Sequence, residues 1–419
     1  MTAKKNTATN PWCWIPTLYL AEGLPYVVVM TVAVIMFKRL GLSNTDIALY
    51  TSWLYLPWVI KPLWSPIVDL FKTKRWWIIT MQFIIGCGLA GVALSLPAEN
   101  FFRYTLAFFW LLAFSSATHD IAADGFYMIG LSTKQQAYFV GIRNTFYRLA
   151  TIIGQGLIVM LAGQLEMQMP VAHAWAITMG TLSLLFLLFF LYHNFSIPHI
   201  PGDCKTARSN RIFQEFIATF TAFFQKPHIG TALAFMLLFR FAEAQLVKLA
   251  SPFLLDDRSL GGLGLATSQV GFIYGTLGII ALTLGGILGG IAIARDGLKR
   301  WIWPMALAMN LPNLVYVYLA YAQPQNIATI STCVAIEQLG YGFGFTAYTL
   351  YLIAFSNGLH KTAHYALCTG FMALGMMLPG MVSGWIQDLV GYQLFFLWVM
   401  LCTIPGFIII RYIQIPENQ

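Results

Sequence analysis

Acidic and basic side chains set inside long apolar runs are the first chemistry this sequence offers. Asp120 and Asp124 stand four residues apart, while Glu22, Glu243 and Glu337 occupy separate apolar stretches. Lys61, Arg143, Arg148, Arg240 and Lys248 are embedded in the same way. Burial favours the neutral form of a carboxyl and a nearby Lys or Arg reverses that preference, so such a set can take up and release a proton as pairs form and break. Glu22 is the expected carrier, because no basic residue lies within two turns of it along the chain. Asp120 is second, and Asp124 and Glu243 complete the coupling set. Sodium is the rival ion, since carbonyls loosened near Pro25 could join Glu22 as oxygen ligands. The arginines point to a second role. A guanidinium fork binds carboxylates in bidentate fashion and keeps its proton, which suits an anionic substrate.

Helical spacing groups these residues into faces. Asp120, Asp124 and Tyr127 share one face, and Tyr19, Glu22 and Tyr26 another. Asn144 lies with Arg148, and Glu337 with Tyr341, Gly344 and Tyr348. Tyr19, Tyr26, Lys61, Arg143, Asn144, Arg148, Arg240, Lys248, Glu337 and Tyr341 are the expected substrate-binding set. Both signs of charge flanked by tyrosines suit a polar small molecule able to use ionic bonds, hydrogen bonds and stacking. Lys61 could equally pair with Asp120 or Asp124, and Arg240 with Glu243 three residues on. His119 and Asp124 have the H-x-x-x-x-D spacing of some membrane acyltransferases, but a helix sets residues five apart about 140° from each other. No glycine-rich phosphate loop, nucleophile elbow or metal cluster is legible, and the six cysteines are scattered without a CxxC pair. We expect no enzyme, no cofactor and no metal; a non-transporting sensor is the rival function.

The elements that must position these groups are membrane helices. Of 419 residues, 58% are hydrophobic and only 10% charged, with a mean hydropathy of +0.69. A soluble domain carries about a quarter charged residues, so the solvent here is lipid. Runs of about 20 apolar residues span a bilayer. They predict helices over 14–37, 44–69, 76–96, 103–130, 136–162, 173–194, 229–254, 267–294, 301–322, 327–355, 362–388 and 393–412. The first is read as a retained helix, since no small-residue cleavage site follows it. The net charge of +8 would suit nucleic acid, but its distribution points to membrane orientation instead. With the N-terminus inside, fifteen Lys and Arg fall in inner segments (Lys4, Lys5, Lys72, Lys74, Arg75, Lys134, Lys205, Arg208, Arg211, Lys226, Arg295, Lys299, Arg300, Lys361, Arg411). Four (Lys38, Arg39, Arg103, Arg258) fall outside. The positive-inside rule then predicts cytoplasmic termini.

The interiors of helices 3, 6, 9 and 12 carry no charge, so every third helix is expected at the periphery and the rest around an aqueous cavity. The expected fold is all-α and membrane-integral: twelve transmembrane helices in two pseudo-symmetric six-helix bundles. The first bundle is 1–194, a cytoplasmic linker 195–228, and the second bundle 229–419. Leu18-Tyr-Leu-Ala-Glu-Gly-Leu24 aligns with Phe239-Arg-Phe-Ala-Glu-Ala-Gln245, and Lys74-Arg75-Trp76 with Lys299-Arg300-Trp301, as two repeats of a transporter would.

Trp64-Ser-Pro-Ile-Val-Asp69-Leu-Phe-Lys-Thr-Lys74-Arg75 resembles the loop signature of the major facilitator superfamily, with Ser65 where the signature has Gly. In the second half Gly290 fits the small position, but Ala294 replaces the acidic residue. The resemblance implies that Asp69 and Arg75 latch the cytoplasmic side. Leu20-Ala-Glu-Gly-Leu-Pro-Tyr26, Leu56-Pro-Trp-Val-Ile-Lys-Pro-Leu-Trp-Ser-Pro66 and Ala117-Thr-His-Asp-Ile-Ala-Ala-Asp-Gly125 resemble the AmpG-type permeases and, more distantly, acetyl-coenzyme A transporters. The likeness covers the first five helices well and the second half thinly. It implies proton-driven import of muropeptides or related amino sugars across a bacterial inner membrane by a monomer. Other relatives in the clan carry siderophores.

In a background without native cysteines, single cysteines at 98 or 325 are expected to react with an impermeant maleimide from outside the cell. Those at 73, 207 or 298 react only after permeabilisation. External labelling at 207 would overturn the six-plus-six arrangement.

Overall fold

The computed structural model describes residues 10–200, 203, 209–358 and 360–415. Among them every regular element is helical. Eight continuous helical segments are long and apolar enough to cross a bilayer. They include α1 (Pro11–Arg39), α3 (Lys74–Ser95), α4 (Phe101–Gly130), α5 (Thr133–Leu165), α6 (Val171–Ser196), α8 (Thr267–Asp296) and α9 (Leu298–Ala322). The eighth, Lys361–Ile410, folds back on itself at Gly391, whose φ of 76° favours glycine, and so supplies α11 (361–390) and α12 (392–410). Three further spans complete the twelve. They are α2 (Asn44–Trp53 and Leu56–Leu70), α7 (Ile229–Leu238 and Phe241–Leu255) and α10 (Ile327–Ser356). The chain is thus an all-α membrane protein of two six-helix bundles.

The breaks have local causes. In α2, Pro57 at the start of the second segment lacks the N–H that would continue the first. In α7 the break falls at Arg240, whose backbone (φ −106°, ψ 20°) leaves the helical region. Wide π-helical turns interrupt α1 at Val28–Val32, just past Pro25, α5 at Ile152–Ile158 and α8 at Gly271–Gly278. Such turns cluster at functional positions. The stretch between the bundles, expected only as a polar connection, contains a helix, Ser209–Phe224.

Between the halves, α2 lies along α11 and α5 crosses α8. Both contacts use glycines as bare backbone, the usual route to close helix approach in lipid. A Cβ on Gly275 would stand 2.0 Å from the Gln155 carbonyl oxygen, and one on Gly384 only 1.9 Å from that of Asn44.

The apolar core is shared by both halves at the end holding residues 40–43 and 256–266. Toward the end holding the basic loops it divides in two. One cluster belongs to the first half (Trp14, Leu18, Ala122, Phe126, Phe139) and another to the second (Phe235, Ile302, Tyr348, Ile409). The molecule is therefore joined at one end and cleft at the other. We call these the joined end and the basic end.

Gly275→Val is expected to cost about 1–3 kcal/mol by overpacking the α5–α8 crossing. It should lower the thermal midpoint in nanodiscs, whereas Gly290→Ala, with nothing within 4 Å of its added carbon, should not.

Candidate functional site

The expected coupling carboxyls of the first half converge. Single carboxylate oxygens of Glu22 on α1 and of Asp120 and Asp124 on α4 all lie within 4.8 Å of one another. The four-residue spacing puts both aspartates on the face of α4 turned toward α1. Lys61 on α2 forms an ion pair with Asp120. Arg143 on α5 pairs with Asp124 at 2.9 Å, its guanidinium over the rings of Tyr19 (4.6 Å) and Tyr127 (5.6 Å). Tyr19 also donates to Asp124 at 3.5 Å. Glu22, 6% exposed, keeps one carboxylate oxygen without a hydrogen-bond partner. Three carboxyls thus share two cations. With all of them ionised the set carries one unmatched negative charge, which a single proton or monovalent cation cancels.

Behind this cluster runs a buried hydrogen-bonded chain that sequence reasoning did not foresee. Thr17 bonds His193 at 2.9 Å, His193 bonds Gln82 at 2.8 Å, and Gln82 bonds His119 at 3.0 Å. These polar contacts tie α1, α3, α4 and α6 into one body, so His119 belongs to the scaffold and not to an acyltransferase pair.

A cavity of about 1270 Å³ lies between α5, α8 and α10 and extends toward the basic end. Asn144, Tyr147, Arg148, Tyr341 and Phe345 line it. As expected, α3, α6, α9 and α12 contribute nothing to its wall, but neither do α1, α2, α4, α7 and α11, which were expected around it. Arg148 has no hydrogen bond or ion pair among the described residues. Arg240 turns away from Glu243, donates to the Tyr341 hydroxyl at 2.5 Å and lies over the Tyr341 and Phe345 rings. Lys248 is buried, donates to the Thr51 hydroxyl at 2.9 Å and sits over the Tyr55 ring. Tyr26 meets Trp58 edge to face. The cations of the expected substrate set therefore divide. Lys61 and Arg143 are spent on carboxylates, whereas Arg148, Arg240 and Lys248 meet only neutral groups. Glu337 does not reach the cavity wall; its carboxylate accepts from Gln338 at 2.9 Å.

At the basic end, Arg75 donates to the carbonyls of Ile197 (2.9 Å) and Asn194 (2.5 Å), capping the last turn of α6. Asp203 accepts from the backbone N–H groups of Lys74 and Arg75 at 2.7 and 3.0 Å, closing the start of α3. The Asp69 side chain lies outside the described residues.

The joined end is held by a ring of polar bonds across the halves. Lys38 pairs with Asp256 at 2.7 Å and donates to Asn44 at 2.8 Å. Asn44 donates to Gln387 (2.5 Å) and Tyr392 (2.9 Å), and Tyr392 returns to Asp256 at 2.6 Å. Thr45 donates to Asp388 through both its N–H (3.0 Å) and its hydroxyl (2.6 Å). Glu166 joins Arg39 at 3.0 Å to Thr267 at 2.6 Å. None of these residues was expected at a functional position, because all lie in the polar ends of helices, where charge is unremarkable.

Residues 21–295 match the BT1 family. The chain belongs to that family. It is also 25% identical to the putative transporter AmpG 4 of Rickettsia conorii, the alignment covering 96% of each chain. It is 24% identical to the anhydromuropeptide permease of Escherichia coli K12, over 94% of this chain and 77% of the relative. Among solved structures it resembles the D-xylose–proton symporter, with a TM-score of 0.73 at 11% identity over 97% of this chain and 98% of the other. The nucleoside transporter NupG aligns with a TM-score of 0.68 at 15% identity over 95% and 97%. The protein is a multi-pass membrane transporter of the major facilitator type, similar to AmpG, and not an enzyme.

Alternating access requires the joined end to open. A cysteine pair at Thr45 and Asp388, in a background without native cysteines, is expected to cross-link on oxidation and abolish transport, with recovery on reduction. Undiminished transport by the oxidised, cross-linked protein would mean that this end stays shut throughout the cycle.

Proposed function

We propose that this chain imports a polar, anionic amino sugar or muropeptide-like solute across a bacterial inner membrane, driven by protons. Residues 1–194 and 229–419 act as the two moving bundles of a monomer, joined by a cytoplasmic linker over 195–228, with both termini cytoplasmic. The observation that carries this reading is the separation of charge. The first half holds three carboxyls with two cations, while Arg148 on the cavity wall and Arg240, bonded to the wall residue Tyr341, carry no carboxylate. The first set suits a proton, with Glu22 as carrier and Asp120 and Asp124 as its switchable neighbours. Glu243 is its counterpart in the second repeat. The second set suits an anion, with Arg148 and Arg240 holding carboxylates, Asn144 hydrogen-bonding, and Tyr341, Tyr26 and Phe345 offering faces to sugar rings. Lys248 adds a third cation. Lys61, Arg143 and Tyr19 bear on the substrate indirectly, by setting the charge of the aspartates. Asp69 and Arg75 latch the basic end only when it closes; the charge bias assigns that end to the cytoplasm. The Escherichia coli relative's name, anhydromuropeptide permease, supports the substrate class.

The test is uphill uptake of an N-acetylglucosaminyl-anhydromuramyl peptide into proteoliposomes under a pH gradient, with and without sodium. Wild type is expected to accumulate it without sodium. Glu22→Gln should lose accumulation but keep exchange at equal concentrations, and Arg148→Lys should weaken uptake about tenfold although the charge is kept. Accumulation by Glu22→Gln under a proton gradient would refute the carrier assignment. Equal affinity for a carboxyl-amidated analogue would refute the anion site.

A further inference from the structure

Of the three cations that meet only neutral groups, Lys248 alone neither lines the cavity nor bonds a residue of its wall. It is 1% exposed and lies where α7 packs against α2 of the first half and α11 of the second. An ammonium has three N–H donors and no acceptor. One of them meets the Thr51 hydroxyl at 2.9 Å. Thr51 spends its own proton on the Ile47 carbonyl at 2.6 Å, so towards Lys248 its oxygen can only accept. The Tyr55 ring, 5.1 Å from the nitrogen, offers a face and no charge. Among the described residues no carboxylate forms an ion pair with Lys248.

A second observation, independent of that charge, falls at the same place. The Ser52 hydroxyl on α2 is fully buried and has no hydrogen-bond partner. Gly380 on α11 shows how near the two groups come. A Cβ added there would stand 2.7 Å from the Ser52 hydroxyl oxygen and 3.5 Å from Cγ of Lys248. Both side chains therefore border the small space that the glycine leaves between α2, α7 and α11. Buried polar groups are almost always paired, so an orphaned hydroxyl beside an unmatched cation marks a missing partner.

That partner has to accept hydrogen bonds, since the ammonium and the hydroxyl both have a donor to spare. A water molecule would accept them but leave the charge unmatched. A monovalent anion answers both needs, and an unmatched charge among membrane helices is the costlier of the two. A solute in the cavity does not reach Lys248, so the anion is a separate, compact ion.

We propose that Lys248 and Ser52 bind a chloride ion between α2, α7 and α11, clasping the two halves while the joined end is shut. The proposal rests on the reading of Lys248 as an anion-binding cation and names the anion that it holds in this state. Ser52 belongs to the first half and Lys248 to the second, so parting the halves breaks the site and releases the ion.

The test uses purified full-length protein in nanodiscs, with thermal unfolding followed as sodium gluconate is replaced by sodium chloride at constant ionic strength. Wild type is expected to show a saturable rise in midpoint with chloride. Lys248→Met should unfold at a higher midpoint than wild type in gluconate, because an unmatched charge is gone, and lose the chloride response. Ser52→Ala removes one donor and keeps the cation, so its half-saturating chloride concentration should rise a few fold. It carries the comparison if Lys248→Met does not fold. Arg148→Gln should respond to chloride as wild type does. Equal wild-type midpoints in chloride and gluconate overturn the proposal, as does a response unchanged in Lys248→Met or in Ser52→Ala. Loss of the response in Arg148→Gln with retention in Lys248→Met moves the anion to the cavity and overturns it too. Failure of the substrate reading would appear separately, as equal affinity for the carboxyl-amidated analogue, with this response intact.

Discussion

A charge held between helices in a bilayer must meet an opposite charge, a proton or water, and the arrangement of this protein follows from how each buried charge meets that demand. Placing an ionised side chain at the bilayer centre costs about 2.5–3.5 kcal/mol on insertion scales, and more where no relief is at hand. Asp120 and Asp124 find relief in Lys61 and Arg143. Those two pairs bring α2 and α5 onto α4 and leave Glu22 as the odd carboxyl. The same demand acts on Arg240, which has no carboxylate and settles for a phenol and two aromatic faces. Cation–π contacts of this kind stabilise a guanidinium by roughly 0.5–2 kcal/mol. They hold the charge in place without neutralising it.

Motion and closure rest on a different balance. The two halves approach most closely at glycines in α5, α8 and α11, where backbone meets backbone, and they share an apolar core at the joined end. Around that core runs a ring of hydrogen bonds and two ion pairs, Lys38–Asp256 and Arg39–Glu166, partly exposed and so open to competition from water. An ion pair in such a setting contributes on the order of 1 kcal/mol, so the ring can dissociate within a transport cycle. At the basic end, in contrast, the bonds of Arg75 and Asp203 stay within the first half. They stiffen one bundle without tying it to the other.

The fold was legible because hydrophobic length and loop charge are one-dimensional properties. An apolar run such as 76–96 needs no partner to be recognised as a span, and the absence of charge from helices 3, 6, 9 and 12 already keeps them off the cavity wall, though it could not single out α5, α8 and α10 as the three that line it. The convergence of Asp120 and Asp124 followed from their four-residue spacing. The sequence could not say which carboxyl keeps which cation. Arg240 and Glu243, three apart, looked like a local pair, yet the α7 break at Arg240 turns the guanidinium toward α10. Helix breaks of this kind depend on what lies alongside, and nothing near Arg240 in the chain announces one.

Composition, spacing and the distribution of lysine and arginine by themselves determined a twelve-helix membrane protein with titratable groups turned inward, because hydrocarbon imposes those patterns on any chain that crosses it. Only the tertiary structure decided that Lys38 meets Asp256 across 218 positions (256 − 38), that Glu337 bonds Gln338 and stays off the cavity wall, and that the molecule stands joined at one end and cleft at the other. Contacts between distant segments depend on which helices lie side by side, and that is settled by the fit of glycine surfaces and buried polar partners. Neither is visible until the helices have assembled.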